Sequence, residues 1–174
     1  MYFRVVNGGI PETTELLKEK FDYIFYTGST MVGKIIHKSA NENLTPCTLE
    51  LGGKSPVYID DNCNLETVVK RLLWGKMVNL GQTCVAPDYV LCSKNTQNKV
   101  LSLTKQVMKE WFGDKPIDSP DLGRVISERH FDRLLSLMKN STGEIVYGNE
   151  RAQDQNKYLY VSKNIIFSRY SICL

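Results

Sequence analysis

Two short segments carry side chains that could do covalent chemistry. In Gly81-Gln82-Thr83-Cys84-Val85-Ala86-Pro87 a cysteine sits on a glycine-started loop, where it can be exposed enough to act as a nucleophile. Thiolate is the reactive form, so nearby N–H groups or a base must favour it. The other reading is a small buried side chain, the commonest fate of a cysteine. That second reading is the one taken for Cys47, Cys63, Cys92 and Cys173. In Leu49-Glu50-Leu51-Gly52-Gly53-Lys54-Ser55-Pro56, Glu50 stands at a strand end before two glycines. It can project into a cleft while the backbone bends away. Taken alone, it reads first as an ordinary turn carboxylate.

A third segment, Gly28-Ser29-Thr30-Met31-Val32-Gly33-Lys34, has the makings of a phosphate site. Gly28, Gly33 and Lys34 fit the spacing of a P-loop, but Ile35 stands where a magnesium-binding hydroxyl is needed. A dinucleotide turn fits its placement, after a strand and before a helix, although Thr30 occupies the position of the middle glycine. Free N–H groups at such a helix start favour a pyrophosphate. A plain strand-to-helix connection, with glycines for close packing, explains the turn alone equally well.

The elements that must position these segments follow from patterning. Phe3–Val6 reads as a short strand stopped by Asn7-Gly8-Gly9, and Pro11 opens a helix over Glu12–Lys20. Asp22–Tyr26 reads as a buried strand, and the glycine turn leads into a helix through about Ala40. This alternation is the grammar of a parallel, doubly wound α/β sheet. Thr45–Leu51, Val57–Ile59 and Tyr89–Cys92 read as further strands. Asn64 or Asp61 can cap a helix over Leu65–Val78, with Leu65, Val68, Val69, Leu72 and Leu73 on one face. Gln97–Phe112 reads as a long helix closed by Gly113, Ser127 caps another through Lys139, and Glu144–Tyr147 is a last strand.

Composition excludes several classes. Apolar residues are 42%, charged residues 24% and net charge +3 over 174 residues, which fits a globular domain and not a disordered chain. The charge is too mild to imply a nucleic-acid partner. Five cysteines without a Cys-x-x-Cys, and only two histidines (His37 and His130), argue against a disulfide framework and a structural metal site. His37 and His130 lie on polar helix stretches and read as surface residues. The start is no signal peptide, and no apolar run approaches the ~20 residues that span a bilayer, so a cytoplasmic setting is expected.

Leu49–Pro56 and Gly81–Pro87 resemble the glutamate and cysteine signatures of the aldehyde dehydrogenase superfamily, at that family's separation of 34 residues. The turn Thr27–Gly33 is similar to the family's dinucleotide turn, which has Ser-Thr where other Rossmann proteins have glycine. Val5–Gly9, Phe21–Phe25, Leu44-Thr45-Pro46, Tyr58-Ile59-Asp60, Ala86–Cys92 and Leu122-Gly123-Arg124 agree as well. The run Cys84–Tyr89 is similar to class 3 members, which act on medium-chain, fatty and aromatic aldehydes. The likeness extends from about Met1 to Glu150.

The resemblance implies an α/β fold and a division of labour. Cys84 would attack the aldehyde carbonyl, hydride would leave the resulting thiohemiacetal for NAD or NADP, and a thioester would remain. Glu50 would then activate the water that releases the carboxylic acid. The backbone N–H of Cys84 is a candidate oxyanion donor. Gly28, Ser29, Thr30, Met31, Val32 and Gly33 would lie against the coenzyme pyrophosphate, with Ser29 as a hydrogen-bond donor. Lys54 and Gln82 read as supporting structure. No metal is implied.

A full member of the family is more than twice this long, a homodimer, and in some class 3 proteins membrane-anchored. Residues 1–50 would be the last part of a Rossmann-like coenzyme domain and residues 51–150 the first part of the catalytic domain. Residues 151–174 would be a divergent tail. From Val161 the tail departs from the family pattern, and Val161-Ser162 is what the splice-donor hexamer GTAAGT encodes, so intron read-through is expected there. An isolated piece of this kind is expected to be inactive. The alternative function is a short isoform that only binds or interferes with a full-length partner.

Overall fold

A computed structural model describes residues 2–145 and the backbone of 166–167 and 172–173. The chain divides into two compact units, Met1–Gly53 and Lys54–Leu174.

The first unit is built around one strand–helix–strand motif. Helix α1 (Ile10–Leu16) opens with Pro11 in its first turn, and Glu12 Oε2 accepts from the Gly9 N–H at 2.7 Å. Strand β1 (Ile24–Gly28) leads through Ser29 into α2 (Thr30–Glu42), and β2 (Cys47–Leu51) returns parallel to β1. A parallel pair needs such a crossover, because a short turn cannot reverse the chain twice. Ile36 and Ala40 are the buried apolar face of α2. Thr45, at 8% exposure, satisfies its hydroxyl by donating to Phe21 O at 2.9 Å.

Phe3–Val6 forms no strand. A strand exists only where a neighbour takes its backbone hydrogen bonds; here Phe3, Val5 and Val6 are all exposed. The first helix also stops at Leu16, short of Lys20.

The second unit repeats the motif and extends it. Strand β3 (Ser55–Tyr58), α3 (Leu65–Met77) and β4 (Pro87–Leu91) form a second parallel crossover. The register shifts between Ser55 and Pro56, where proline has no N–H to give the ladder. Helices α4 (Lys94–Phe112) and α5 (Glu128–Lys139) follow, and 3₁₀ turns cover Val78–Gly81 and Pro116–Asp118. Strands β5 (Glu144–Ile145), β6 (Ile166–Phe167) and β7 (Ile172–Cys173) add antiparallel pairs, giving the order β3-β4-β7-β6-β5. The sheet is therefore mixed rather than purely parallel. The expected strand ends at Val146-Tyr147, and the rest of the tail, lie outside the described residues.

Side-chain caps start four helices. Ser29 Oγ accepts from Val32 N at 3.3 Å, Asn64 Oδ1 from Thr67 N at 3.0 Å, Ser93 Oγ from Thr96 N at 3.2 Å and Ser127 Oγ from His130 N at 3.4 Å. Such a cap stabilises a helix by about 1 kcal/mol. Between the two candidates for the third helix, Asn64 is the cap. Asp61 instead accepts from the Ser93 and Thr96 hydroxyls and ties the preceding loop to the start of α4. The core lies between α3, α4, α5 and the sheet, with Val69, Leu73, Val90, Val100, Val107, Met108 and Phe131 all at or below 2% exposure.

Candidate functional site

In the first unit, the register of β1 against β2 sets Thr27 opposite Glu50 and Gly28 opposite Leu51. The glycine turn and Glu50 therefore stand at the carboxyl ends of two adjacent parallel strands. Ligands of open α/β sheets bind at that end. Thr48 and Glu50 share one face of β2, and Leu49 and Leu51 the other, because side chains alternate along a strand. The Tyr23 hydroxyl is hydrogen-bonded to the Thr48 hydroxyl. Glu50 itself is exposed.

Helix α2 rises from this strand end with Ser29 as its cap and no acidic residue in its first turn. The first N–H groups of a helix have no intrahelical acceptor. Here Val32 N reaches Ser29 Oγ and Gly33 N reaches Ser29 O at 2.8 Å, which leaves the turns before them for a ligand. An uncompensated positive helix end fits a pyrophosphate. Gly33 has a separate duty. A Cβ on it would come within 2.8 Å of Leu51 Cδ2, so its small size lets α2 lie close on β2. The plain packing role is thus real for Gly33.

In the second unit, Cys84 lies on a short, tightly built connection between α3 and β4. Asn79, Leu80 and Gly81 are consecutive left-handed residues, with φ of 51°, 54° and 75°. They reverse the chain out of α3. The Ala86 N–H then donates to Thr83 O at 3.0 Å, closing a turn with Cys84 and Val85 at its corners. That hydrogen bond uses neither the N–H nor the thiol of Cys84. Cys84 is exposed, whereas Cys47, Cys63 and Cys92 are half-buried and unpaired. Burial, and then the negative charge of Asp61, raise the Cys92 thiol above its ordinary value, so it resists ionisation.

The support of this loop comes from contacts that patterning does not reveal. Gln82 Nε2 donates to Asn79 O at 3.0 Å and to Arg124 O at 2.9 Å, and its Oε1 accepts from Ile126 N at 3.1 Å. The Asn79 carboxamide donates back to Gln82 O at 3.3 Å. Arg124 in turn gives its guanidinium to the carbonyls of Leu122, Gly123, Ile117 and Ser119. Lys54, just before β3, reaches Asp88 of β4 at 2.9 Å. Both supporting assignments, Gln82 and Lys54, agree with these contacts. His37 is exposed and His130 half-buried.

No group of three or more histidine, cysteine or acidic side chains that could hold a metal occurs among the described residues. No helix among them is long and apolar enough to cross a membrane. A surface cavity of the first unit is lined by His37, Asn41, Thr45 and Cys47, at the start of β2, whereas Glu50 stands near that strand's other end.

The sequence pattern of the aldehyde dehydrogenase family matches residues 2–170. The chain belongs to this family. The match passes Glu150 by twenty residues, so the family likeness extends further into the tail than the motifs alone suggest. Aldehyde dehydrogenase family 3 member A2 of Pongo abelii is 53% identical over 146 residues, covering 84% of this chain and 30% of that protein. The dimeric NADP-preferring aldehyde dehydrogenase of Canis lupus familiaris is 51% identical over 146 residues, covering 84% of this chain and 32% of its own length. Among solved structures, the substrate-bound AldH of Staphylococcus aureus superposes with a TM-score of 0.86 at 39% identity, covering 95% of this chain and 35% of that one. The fold is therefore a partial aldehyde dehydrogenase fold, and the likeness is to class 3. The chain spans about a third of the length of the relatives it matches.

Proposed function

We propose that this chain carries the nucleophile, the water-activating base and the pyrophosphate turn of an enzyme that oxidises aldehydes to carboxylic acids. The observation that carries the reading is the pairing of Glu50 with Thr27 beside the turn that begins at Gly28. It unites a carboxylate and an anion-binding helix start at one strand end. The exposed Cys84 on its turn supplies a thiol that is open to a substrate.

The Cys84 thiolate adds to the aldehyde carbon, and the carbonyl oxygen becomes an alkoxide that the Cys84 N–H stabilises. NAD or NADP, when bound, supplies the hydride acceptor; Gly28, Ser29, Thr30, Met31, Val32 and Gly33 hold its pyrophosphate. Cys84 is left as a thioester. Glu50 takes a proton from water, the resulting hydroxide attacks the thioester carbon, and the thiolate leaves as the acid forms. Sulfur suits both halves, since it adds readily and departs readily. Medium-chain, fatty or aromatic aldehydes are the proposed substrates, and the whole enzyme is proposed to be a homodimer.

Purified chain incubated with hexanal or benzaldehyde and either coenzyme tests this by the absorbance of the reduced coenzyme. Turnover that falls at least about a hundredfold in both Cys84→Ser and Glu50→Gln supports the assignment. Turnover unchanged in Cys84→Ser overturns it. A second reading is a chain that binds a full-length partner without turnover. Folded wild-type chain without turnover, which lowers the activity of a full-length relative on mixing, supports that second reading.

A further inference from the structure

Three consecutive left-handed residues are an expensive way to leave a helix. Asn79 and Leu80 are not glycine, and non-glycine residues in this region cost roughly 1 kcal/mol each. Such a conformation persists only where its surroundings over-determine it. The contacts that do so here converge on one side chain. Gln82 makes three hydrogen bonds through its carboxamide, one back to Asn79 and two across to Arg124 and Ile126, more than forty residues away. The orientation of the amide is fixed by its partners. Nε2 faces two carbonyl oxygens and Oε1 faces an N–H, so a flipped amide would oppose like with like at all three. The far side of the bridge is itself anchored, because Arg124 donates to four carbonyls between Ile117 and Gly123.

From this geometry we infer that Gln82 is a positioning residue for Cys84. It bridges the Asn79–Ala86 loop to the Leu122–Ile126 segment and so holds the thiol, two residues on, in one place. The inference rests on Cys84 being the nucleophile, but its test uses no aldehyde and no coenzyme. A failure of the aldehyde-oxidation reading and a failure of the bridge are therefore read separately. The bridge calls for a carboxamide of this length: asparagine is too short to span both sides, and methionine can fill the space without bonding.

The experiment compares the full chain with Gln82→Met and Gln82→Asn. Alkylation of Cys84 by iodoacetamide is followed by peptide mass spectrometry over a range of pH, with the same chain unfolded in urea as reference. Cys47, Cys63 and Cys92 are internal controls, and hydrogen exchange is read at the Ala86 and Ile126 amides. Losing even one bond of the bridge frees the loop by about three- to tenfold. Both amides should exchange faster by that factor in each variant. The rate of Cys84 alkylation should move toward that of the unfolded chain by a similar factor, while the three control cysteines keep their wild-type rates. Alkylation rates and exchange equal to wild type overturn the proposal. So does a wild-type Cys84 rate already equal to that in urea, and so does a change shared by all four cysteines, which marks general destabilisation. If Gln82→Met does not fold, Gln82→Asn alone decides the outcome on the same readouts.

Discussion

The stem of Lys76 runs alongside Gly81. A Cβ on this glycine would stand 3.0 Å from Lys76 Cε and 3.2 Å from Cδ. Lys76 is buried, at 8% exposure, and Gly81 has φ of 75°. Gly81→Ala therefore meets two penalties, a left-handed backbone and a displaced lysine stem. The expected loss is about 1–3 kcal/mol of stability in urea denaturation. Wild-type stability would mean that neither the backbone nor Lys76 constrains the turn.

The close approach of α2 to β2 gives a second expectation. Gly33→Ala brings a methyl group within 2.8 Å of Leu51 Cδ2, so Leu51 must turn aside or the helix must shift outward. A cost of about 1–3 kcal/mol is expected, seen as faster hydrogen exchange in β1 and β2. Gly53→Ala is the matched control. Nothing lies within 4 Å of its Cβ position and its φ is not positive, so it should stay within about 0.5 kcal/mol of wild type. Equal effects of the two would remove the packing role of Gly33.

Asp61 makes stability sensitive to acid. The Ser93 hydroxyl and then the Thr96 hydroxyl hold its carboxyl below the ordinary value of 3.8; burial opposes them, and the charge of Lys99 adds the smallest lowering effect. A carboxyl depressed in the folded state contributes stability that is present above its unfolded value and is lost as pH falls through the folded one. Wild type should therefore melt above Asp61→Asn from neutral pH down to about pH 5, and the gap should close below about pH 4. A gap that is constant over that range would contradict the assignment.

The thiols should label in a set order. Cys84 is exposed, and Cys92 is held protonated by burial and by Asp61. At mildly alkaline pH, iodoacetamide should modify Cys84 before Cys92, and Asp61→Asn should quicken Cys92 without changing Cys84. Labelling of Cys92 first would overturn the expectation.

Much of this was legible in the residues. The two strand–helix–strand motifs follow from apolar runs separated by capped, amphipathic segments, and Asn64 (beside Asp61) and Ser127 read as caps because side chains of these types satisfy helix-start N–H groups; Ser29 read as a donor to the coenzyme, and its capping of α2 came from the structure. Phe3–Val6 misled because β-propensity describes a pleated, half-buried surface and says nothing about whether a neighbour exists. The exposed cysteine was readable from its glycine-led loop. Gln82 read as support, but its partners were not legible, because Gln82 and Arg124 are far apart in sequence and meet through a carboxamide and a carbonyl, groups that carry no periodicity. The left-handed Asn79 was within reach, since asparagine tolerates that conformation; Leu80 offered no such signal.

The pairing of Glu50 with Thr27 constrains the chain in one more way. Successive side chains of a strand point to opposite sides, so losing or gaining a single residue between Pro46 and Glu50 would exchange the two faces of β2. Leu49 and Leu51 would turn to solvent and the carboxylate would turn against α2. This stretch can tolerate changes of residue type far better than changes of length. Insertions and deletions among related sequences should accordingly be found in the loops after Lys139 and around Asp61, and not in the five residues that deliver Glu50.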